Sequence, residues 1–476
     1  MPAPCKVKLG FAPTRRNVFS KEDAAKHRKL IEAKLRSWEI DLVNLDWLND
    51  EALLHDGADT VKVADRFRRE GVEALFVPHC NFGTEDAVAK LASLLGKPVL
   101  LWGPRDEAPL PDGSRLRDTQ CGLFATSKIL RRFGVPFTYI VNSSLDDPVF
   151  ERGFRNFMAA ARVVKAFRNL RIGQIDTRPG AFWTVMVNEG ELLERFGIEV
   201  VPASLVEIVG AARRIVDKGG DALRSTVEEM RSLADLSAVD EDAQKRIAAF
   251  KLALLEWAEA RGCNALAVQC WTALQEAFGI VPCFVHSIIT DAGIPVACET
   301  DIHGAVAAVM AQAARSGEVS PFFADLTIRH PSNDNAELLW HCGPFPPSLK
   351  ASDSKPRVSG HYIMEGAIPG VAEWQIRGGD LTVCRFDGDH GEYFLLMGHG
   401  RGVSGPMNRG TYVWMEVNDW PKWEEKLIRG PYIHHVVGVH GTVAPVLYEA
   451  CRYIPGLKPD PVDPTAEEIE AWLRRG

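Results

Sequence analysis

The 476-residue sequence contains no apolar run of about 18 residues, the length that a helix needs to cross a membrane. It also has no excess of positive charge, because 63 acidic and 55 basic residues give a formal net charge of −8. Proteins that bind nucleic acids or anionic membranes usually carry a basic patch, so neither partner is expected. Residues 1–6 lack the apolar core of a signal peptide, and we therefore expect a cytoplasmic protein.

Signatures of nucleotide and zinc sites are missing as well. No GxGxxG motif follows the first predicted strand and no P-loop occurs, so nicotinamide and ATP are not expected as cofactors. The ten cysteines are scattered without a CxxC pair, and several lie in apolar segments: Cys263, Cys270, Cys283 and Cys298. This pattern favours buried free thiols in a reducing cytoplasm over a disulfide framework or a zinc site.

The first third of the chain alternates short apolar runs with amphipathic stretches. The pattern predicts strands at 6–12, 40–43, 74–78 and 98–102, and helices at 20–37, 58–70 and 85–95. Ser20 is a suitable N-cap for the first of these helices. Such alternation is typical of a doubly wound parallel sheet, in which ligands bind beyond the carboxyl ends of the strands. We expect the loops that contain Arg16 and Asn81 to share that edge.

The strand–helix pattern restarts after a basic helix at 151–168, and two long helical stretches follow at 208–233 and 240–261. After residue 316, glycine, proline and aromatic residues multiply, and apolar residues alternate with polar ones, which indicates antiparallel strands. We therefore predict an α/β protein, with two doubly wound α/β domains followed by a C-terminal β-rich, barrel-like domain. The predicted domain limits are 1–168, 169–316 and 317–476.

Two carboxylates each end a short apolar run, Glu299 after residues 294–297 and Asp325 after residues 322–324. An isolated buried carboxylate is costly, so two of them need a partner, and a hard divalent cation is a suitable one. A pair of carboxylates would also suit glycoside hydrolysis. Each residue taken singly also fits a plain structural role, Glu299 beside a helix N-cap and Asp325 in a turn.

Three imidazoles lie close together in an apolar segment, at His434, His435 and His440. Two carboxylates with an imidazole form the ligand set of a Mn²⁺-type site, so the histidines favour a metal over a hydrolase. A strand has a period of two, so either His434 or His435 points to the same side as His440. His341 is a further candidate, and any of these histidines could instead be a satisfied core residue. The residues alone leave open which of them completes the site.

Six segments together resemble the superfamily of L-fucose and L-arabinose isomerases, and they resemble the fucose-isomerase-like branch more closely. The resemblance extends over essentially the whole chain. Its segments are 10–16, 78–85, 269–271, 297–301, 323–325 and 434–437. It implies that Glu299, Asp325 and His435 bind Mn²⁺ or another divalent cation. The similarity to arabinose isomerases adds His341 as a fourth ligand.

The resemblance also implies the activity, which is aldose–ketose isomerisation of an open-chain sugar through an enediol. Glu299 and Asp325 would be the catalytic acid–base pair. Arg16, Gln269 and Asn81 would bind the substrate. Members of the superfamily form hexamers or similar homo-oligomers, in which Arg16 would act at a neighbour's site.

Three questions stay open at this level. The loop at residues 80–81 has fewer aromatic residues than is usual in the superfamily, so the sugar is not identified. The same metal site would also serve another sugar enzyme, such as an epimerase, lyase or hydrolase. Two α/β domains in series also describe periplasmic binding proteins, so a sugar-binding protein without turnover is the remaining alternative.

Overall fold

The computed structural model describes residues 6–475, which form two compact units. The N-terminal unit contains residues 6–165, 449–454 and 466–475, and the larger unit contains residues 166–448 and 455–465. The predicted domain limit at 316 therefore falls inside the larger unit, and the three domain limits stay a prediction. The expectation that a signal peptide is lacking rests on residues 1–6, of which residues 1–5 lie outside the described residues.

The N-terminal unit is built on a five-stranded parallel sheet with the strand order β2-β1-β3-β4-β5. Ser20 caps the first helix, as predicted, because its hydroxyl accepts a hydrogen bond from the amide of Asp23 at 3.1 Å. The elements are β1 (Leu9–Phe11), α1 (Lys21–Ser37), β2 (Leu42–Val43), α2 (Thr60–Arg69), β3 (Ala74–Pro78), α3 (Glu85–Leu95), β4 (Val99–Trp102), α4 (Thr119–Arg132), β5 (Thr138–Tyr139) and α5 (Pro148–Arg168).

The larger unit begins with a four-stranded parallel sheet of the order β7-β6-β8-β9. Its elements are β6 (Arg171–Ile175), α6 (Glu189–Phe196), β7 (Glu199–Ala203), α7 (Leu205–Lys218), α8 (Asp221–Leu233), α9 (Glu241–Arg261), β8 (Ala265–Val268), α10 (Ala273–Phe278), α11 (Cys283–Asp291), β9 (Val296–Cys298) and α12 (Ile302–Ala314). The helix predicted at 208–233 is in fact two helices. Gly219 and Gly220 both have positive φ angles, which glycine adopts without steric cost, and they break it.

The rest of the larger unit is β-rich. Its elements are β10 (Phe322–His330), β11 (Asn333–His341), β12 (Arg357–Gly360), β13 (Pro369–Gln375), β14 (Gly379–Asp389), β15 (Glu392–Val403), β16 (Thr411–Glu416), α13 (Trp420–Arg429), β17 (His435–His440) and β18 (Leu457–Pro461). Helix α14 (Ala444–Cys451) follows β17, and the last helix, α15 (Ala466–Arg474), belongs to the N-terminal unit.

Six of these strands close into a barrel. They follow the order β16-β11-β10-β17-β14-β15, and antiparallel pairing of β15 with β16 completes the ring. Strands β12 and β13 extend the sheet beyond β16, and β18 pairs with β15. The predicted fold class, parallel α/β sheets followed by a barrel-like β-rich part, is therefore confirmed.

The parallel sheet and the barrel share one hydrophobic core. Leu266 and Val296 of the sheet belong to the same buried cluster as Phe322, Val383 and Val436 of the barrel. Helix α12 packs against both, and its many alanines let the surrounding strands approach closely. The carboxyl end of β9 is thereby fixed against strands β10 and β17.

Eight of the nine cysteines within residues 6–475 are buried, and all nine are free thiols, as the sequence predicts. Within the same residues, no helix combines the length and the apolar character that crossing a membrane requires.

Candidate active site

Four of the predicted site residues converge in the larger unit. Glu299 follows β9, Asp325 lies in β10, His341 ends β11 and His435 begins β17. The Nε2 atom of His435 is 2.9 Å from Glu299 Oε2 and 3.6 Å from Asp325 Oδ1. The Nε2 atom of His341 is 3.8 Å from Glu299 Oε1 and 3.9 Å from Asp325 Oδ1. Residues far apart in the sequence thus form one cluster of two carboxylates and two imidazoles.

The barrel register explains how three of these side chains meet. Asp325 lies directly opposite His435 in the antiparallel pair β10–β17, and opposite Trp340 in the pair β10–β11. Directly opposed residues have Cβ atoms about 5 Å apart, so their side chains can interact. His341 follows Trp340 at the end of its strand and reaches the same carboxylates.

Glu299 joins the cluster through a strained turn. Glu299 and Thr300 have φ angles of 54° and 59°, in the left-handed region that residues other than glycine rarely adopt. Each such residue costs of order 1–3 kcal/mol, and such strain is concentrated at functional sites. The turn ends β9 and places the Glu299 carboxylate beside the barrel histidines.

The cluster has polar atoms that the protein itself leaves unsatisfied. Asp325 Oδ1 and His341 Nε2 are buried and have no hydrogen-bond partner within residues 6–475, whereas Glu299 Oε2 faces Nε2 of His435 at 2.9 Å. Buried polar atoms without partners are costly unless a ligand or ion satisfies them. Carboxylate oxygens with an imidazole nitrogen suit a divalent cation, so the residues present fit one.

The four residues shift one another's pKa values. Burial alone would raise the pKa of Glu299, but hydrogen bonding and charge from His341 and His435 outweigh it and lower that pKa well below its usual range. Burial alone would lower the pKa of both histidines, yet the neighbouring carboxylates raise it to about 9 for His341 and about 10 for His435. Asp325 differs from Glu299, because burial and the Glu299 charge raise its pKa.

A buried network of charged side chains contacts His435 on its Nδ1 side, away from Glu299 and Asp325. The Nδ1 atom of His435 is 2.9 Å from Asp301 Oδ2, and Asp301 forms a two-pronged ion pair with Arg385. Arg385 Nε also donates to Asp387 Oδ2 at 2.8 Å, and Asp387 Oδ1 is 3.0 Å from His303 Nδ1. All five side chains are buried. A carboxylate on one ring nitrogen fixes the orientation of a histidine and turns its other nitrogen toward the site.

The two histidines of the cluster have different hydrogen bonds. His435 faces Asp301 with Nδ1, so its proton belongs there and Nε2 is available as a ligand. His341 instead accepts a hydrogen bond at Nδ1 from the amide of Cys342 at 2.9 Å, which places the proton of a neutral ring on Nε2. His435 is therefore the better prepared metal ligand of the two.

The predicted substrate-binding residues lie in both units. Gln269, at the end of β8 in the larger unit, is buried and donates from Nε2 to the Thr177 carbonyl at 2.8 Å, while its Oε1 has no partner within residues 6–475. Arg16 and Asn81 lie together in the N-terminal unit, where the Arg16 amide donates to Asn81 Oδ1 at 2.8 Å. The Arg16 guanidinium stacks on Phe82, 4.1 Å from the ring centroid.

The remaining histidines are placed as follows. His434 is exposed, and its ring lies within 4.8 Å of ligand atoms of Asp325 and His435. His440 lies at the opposite end of β17, where its Nε2 donates to the Arg377 carbonyl at 2.9 Å. His440 therefore takes no part in the cluster.

Sequence reasoning did not assign Asp301 and Arg385 to the site. Arg385 stands inside an apolar strand segment, Val383-Cys384-Arg385-Phe386, and a charge at such a position signals a buried ion pair. Asp301 precedes α12, and its Oδ1 accepts from the Gly304 amide at 2.9 Å, so its sequence position marks it only as a helix cap. The sequence does not show that the two residues pair.

Comparisons with known proteins point to sugar isomerases. The family model for the N-terminal domain of fucose/sulfoquinovose isomerases matches residues 10–168. A sulfoquinovose isomerase of Priestia megaterium is 25% identical over 394 residues, which cover 82% of this chain and 86% of that protein. A sulfoquinovose isomerase of Alkalicoccus urumqiensis is 27% identical over 344 residues, which cover 72% of this chain and 75% of that protein.

A weaker match involves a solved structure of a periplasmic solute-binding protein from Actinobacillus succinogenes with bound D-allose. It is 15% identical, covers 58% of this chain and 82% of that chain, and has a TM-score of 0.17. A TM-score this low does not indicate a shared fold.

Fold, site and relatives together define the class of this protein, which is an enzyme of the sugar isomerase type. More particularly, the family model over residues 10–168 and the sulfoquinovose isomerase relatives support the fucose-isomerase-like superfamily. The resemblance and the enzyme class expected from the sequence are thereby confirmed.

The raised histidine pKa values predict how the stability of the metal-free protein depends on pH. In the unfolded chain both histidines titrate near 6.5, so their folded-state ion pairs stabilise fully below that pH. This stabilisation is lost as the pH rises through the folded-state pKa values, about 9 for His341 and about 10 for His435. We expect the urea midpoint of metal-free protein to fall between pH 7 and pH 10, and to fall less steeply in a His435→Gln variant, because both ring nitrogens of His435 face carboxylates.

His440→Gln is the matched control for that titration. Burial lowers the pKa of His440, so it is neutral in both states above pH 7 and contributes no slope there. A His435→Gln protein with the same slope as wild type would contradict the ion pairing of His435.

Proposed function

We propose that the protein is a divalent-metal-dependent isomerase that interconverts the aldose and ketose forms of an open-chain sulfonated sugar. The observation that supports the chemistry best is the convergence of Glu299, Asp325 and His435, with Asp325 Oδ1 buried and without a hydrogen-bond partner within residues 6–475. The sulfonated substrate is supported by the relatives, which are sulfoquinovose isomerases.

Glu299, Asp325 and His435 would hold the cation, which we propose to be Mn²⁺, and His341 would be a fourth ligand. Bound there, a divalent cation supplies Lewis acidity toward the sugar carbonyl and fixes the position of the substrate. Asp301 would keep the His435 ring oriented, with Nε2 toward the two carboxylates.

The two carboxylates would move the protons. Glu299 stays ionised because of the imidazoles beside it, which suits a base that removes the proton from C2 of the aldose. The higher pKa of Asp325 suits the group that carries a proton to and from the sugar oxygens. A bound cation would lower the pKa of both carboxylates. The assignment of Glu299 as base and Asp325 as proton carrier therefore depends on Asp325 keeping the higher pKa of the two. The product of the first transfer is an enediol, which collapses to the ketose when C1 is protonated.

Gln269, Arg16 and Asn81 would bind the substrate. Gln269 presents an unpartnered buried Oε1 that can accept a hydrogen bond from a sugar hydroxyl. Arg16 and Asn81 are proposed to bind the substrate within a homo-oligomer, a hexamer or similar ring, as family membership suggests. We further propose a cytoplasmic location, which the buried free thiols suit.

The first prediction for this function concerns the metal. Dialysis against EDTA should abolish isomerisation, and Mn²⁺ should restore it, because the carboxylate cluster has no other source of Lewis acidity. Turnover is measured by NMR with a sulfonated aldose and its ketose. Full activity after exhaustive chelation, with metal content verified by mass spectrometry, would reject the metal dependence.

The second concerns Glu299. Glu299→Gln removes the proposed base and should lower kcat by about 10²–10⁴-fold, the usual contribution of a positioned acid or base. In heavy water the wild type should place deuterium on the carbon that accepts the proton, and the variant should not. This exchange also separates an isomerase from a hydrolase.

Glu337→Gln is the matched control for that substitution. Glu337 is a buried glutamate of β11 whose pKa burial raises to about 7, and its strand partners are Arg329 and Met415, neither of which belongs to the cluster. The control should keep near-normal kcat. If Glu299→Gln turns over as fast as this control, Glu299 has no part in proton transfer.

The third concerns Asp301 and the orientation of His435. Asp301→Asn should weaken Mn²⁺ binding by about 10–100-fold, as expected for the partner of a metal-bound histidine. Equilibrium dialysis on protein shown to be folded by circular dichroism measures this affinity. Asp291→Asn is the control, because among residues 6–475 Asp291 accepts side-chain hydrogen bonds from Ser320 and Ser348 alone. Equal Mn²⁺ affinity in the two variants would refute the role of Asp301.

A further inference from the structure

We propose that Arg178 binds the sulfonate group of the substrate and thereby sets the preference for a charged sugar. The inference rests on the proposed function and adds a specificity-determining residue to it. It is carried by the position of one loop, by the charge balance around the site and by the aromatic side chains beside the loop.

The loop that contains Arg178 follows β6 and lies against the site. The Thr177 carbonyl accepts hydrogen bonds from Gln269 Nε2 at 2.8 Å and from Thr300 Oγ1 at 3.3 Å. Thr300 is adjacent to Glu299, and Gln269 is adjacent to Cys270, whose Sγ is 3.9 Å from Glu299 Oε1. The main chain just before Arg178 is thus tied to both residues that flank the carboxylate cluster.

The charge of Arg178 is not neutralised by the protein. Its guanidinium donates to the carbonyls of Pro179 and Gly180 at 3.3 and 3.1 Å, both in its own loop, and forms no ion pair within residues 6–475. The side chain is partly buried. In contrast, Arg385 is paired with two aspartates and Arg409 is paired with Glu373. A partly buried cation without a counter-ion is suited to receive an anion from a ligand.

Aromatic side chains continue the same surface. The Phe182 ring, in the loop of Arg178, lies 6.2 Å from that of Trp271, and the Trp271 ring lies 6.0 Å from that of His361. Trp271 follows Gln269 and Cys270 in the chain. Such rings suit the apolar C–H face of a sugar chain that runs from the cluster toward Arg178.

The chemistry of a sulfonate explains what this contact would do. A sulfonate carries its negative charge at every working pH, and a guanidinium can donate two parallel hydrogen bonds to its oxygens. The sulfonate takes no part in the proton transfers, so the interaction is equally strong in ground and transition states. Loss of such uniform binding raises KM and leaves kcat nearly unchanged.

The test compares two substrates that differ only in the sulfonate, 6-deoxy-6-sulfoglucose and 6-deoxyglucose, with Mn²⁺-loaded enzyme. Arg178→Gln should raise KM for the sulfonated sugar at least 30-fold with kcat changed less than threefold. Its kcat/KM for 6-deoxyglucose should stay within threefold of wild type. Arg178→Lys keeps the positive charge but cannot donate two parallel hydrogen bonds. Its KM for the sulfonated sugar should lie between those of wild type and Arg178→Gln.

A binding measurement and a matched control complete the design. In a Glu299→Gln background, calorimetry should show at least tenfold weaker binding of the sulfonated sugar when Arg178 is replaced by Gln. Arg213→Gln is the control, because Arg213 is exposed and also donates only to a main-chain carbonyl, that of Ala277. Arg213→Gln should leave both substrates unaffected.

The outcomes separate this inference from the proposed function. If Arg178→Gln impairs both sugars equally, impairs neither, or if active wild type shows no preference for the sulfonated sugar, the role of Arg178 is refuted and the isomerase remains. If wild type with Mn²⁺ isomerises neither these nor other aldoses, the proposed function itself is refuted, and the inference falls with it.

Discussion

The Asp301–Arg385 ion pair is the interaction on which the site depends. Asp301 caps α12 through the Gly304 amide, neutralises Arg385 and orients His435, so one carboxylate ties the end of the parallel sheet to two barrel strands. Arg385 is fully buried and shares its charge with Asp387. Removing one member would leave an uncompensated charge in a low-dielectric interior, which costs several kcal/mol. The folded state therefore needs every member of the network to be present. The same network holds the His435 imidazole in a single orientation.

The site lies where two kinds of sheet meet, and this position accounts for its chemistry. Glu299 lies at the carboxyl end of a parallel strand. Asp325, His341 and His435 lie on antiparallel strands of the barrel. Because the surroundings differ, imidazole contacts keep Glu299 ionised while burial raises the pKa of Asp325. Two carboxylates with separated pKa values suit the base and acid roles that the proposed proton transfer assigns to them. Neither the sheet nor the barrel contains the full set.

Much of this architecture could be read from the chain. The apolar runs predict the parallel strands, and Ser20 predicts the start of α1. The carboxylates that end such runs, Glu299 and Asp325, stand out because a charge there needs a partner. Two features of the structure could not be predicted from the sequence, for physical reasons. The stretch 208–233 has continuous helical periodicity, yet Gly219 and Gly220 divide it. The pairing of Asp301 with Arg385 joins residues more than 80 positions apart, and no local pattern encodes it.

The sequence by itself determined the fold class and the residue types of the cluster, because periodicity and short motifs are local properties of the chain. Tertiary structure alone decided which histidines face the carboxylates. The register of β17 against β10 sets His435 opposite Asp325, whereas His440 lies at the far end of that strand on the Arg377 carbonyl. Tertiary structure alone also separated Arg178 from the paired arginines, since a counter-ion is a matter of distance in space and not of spacing along the chain.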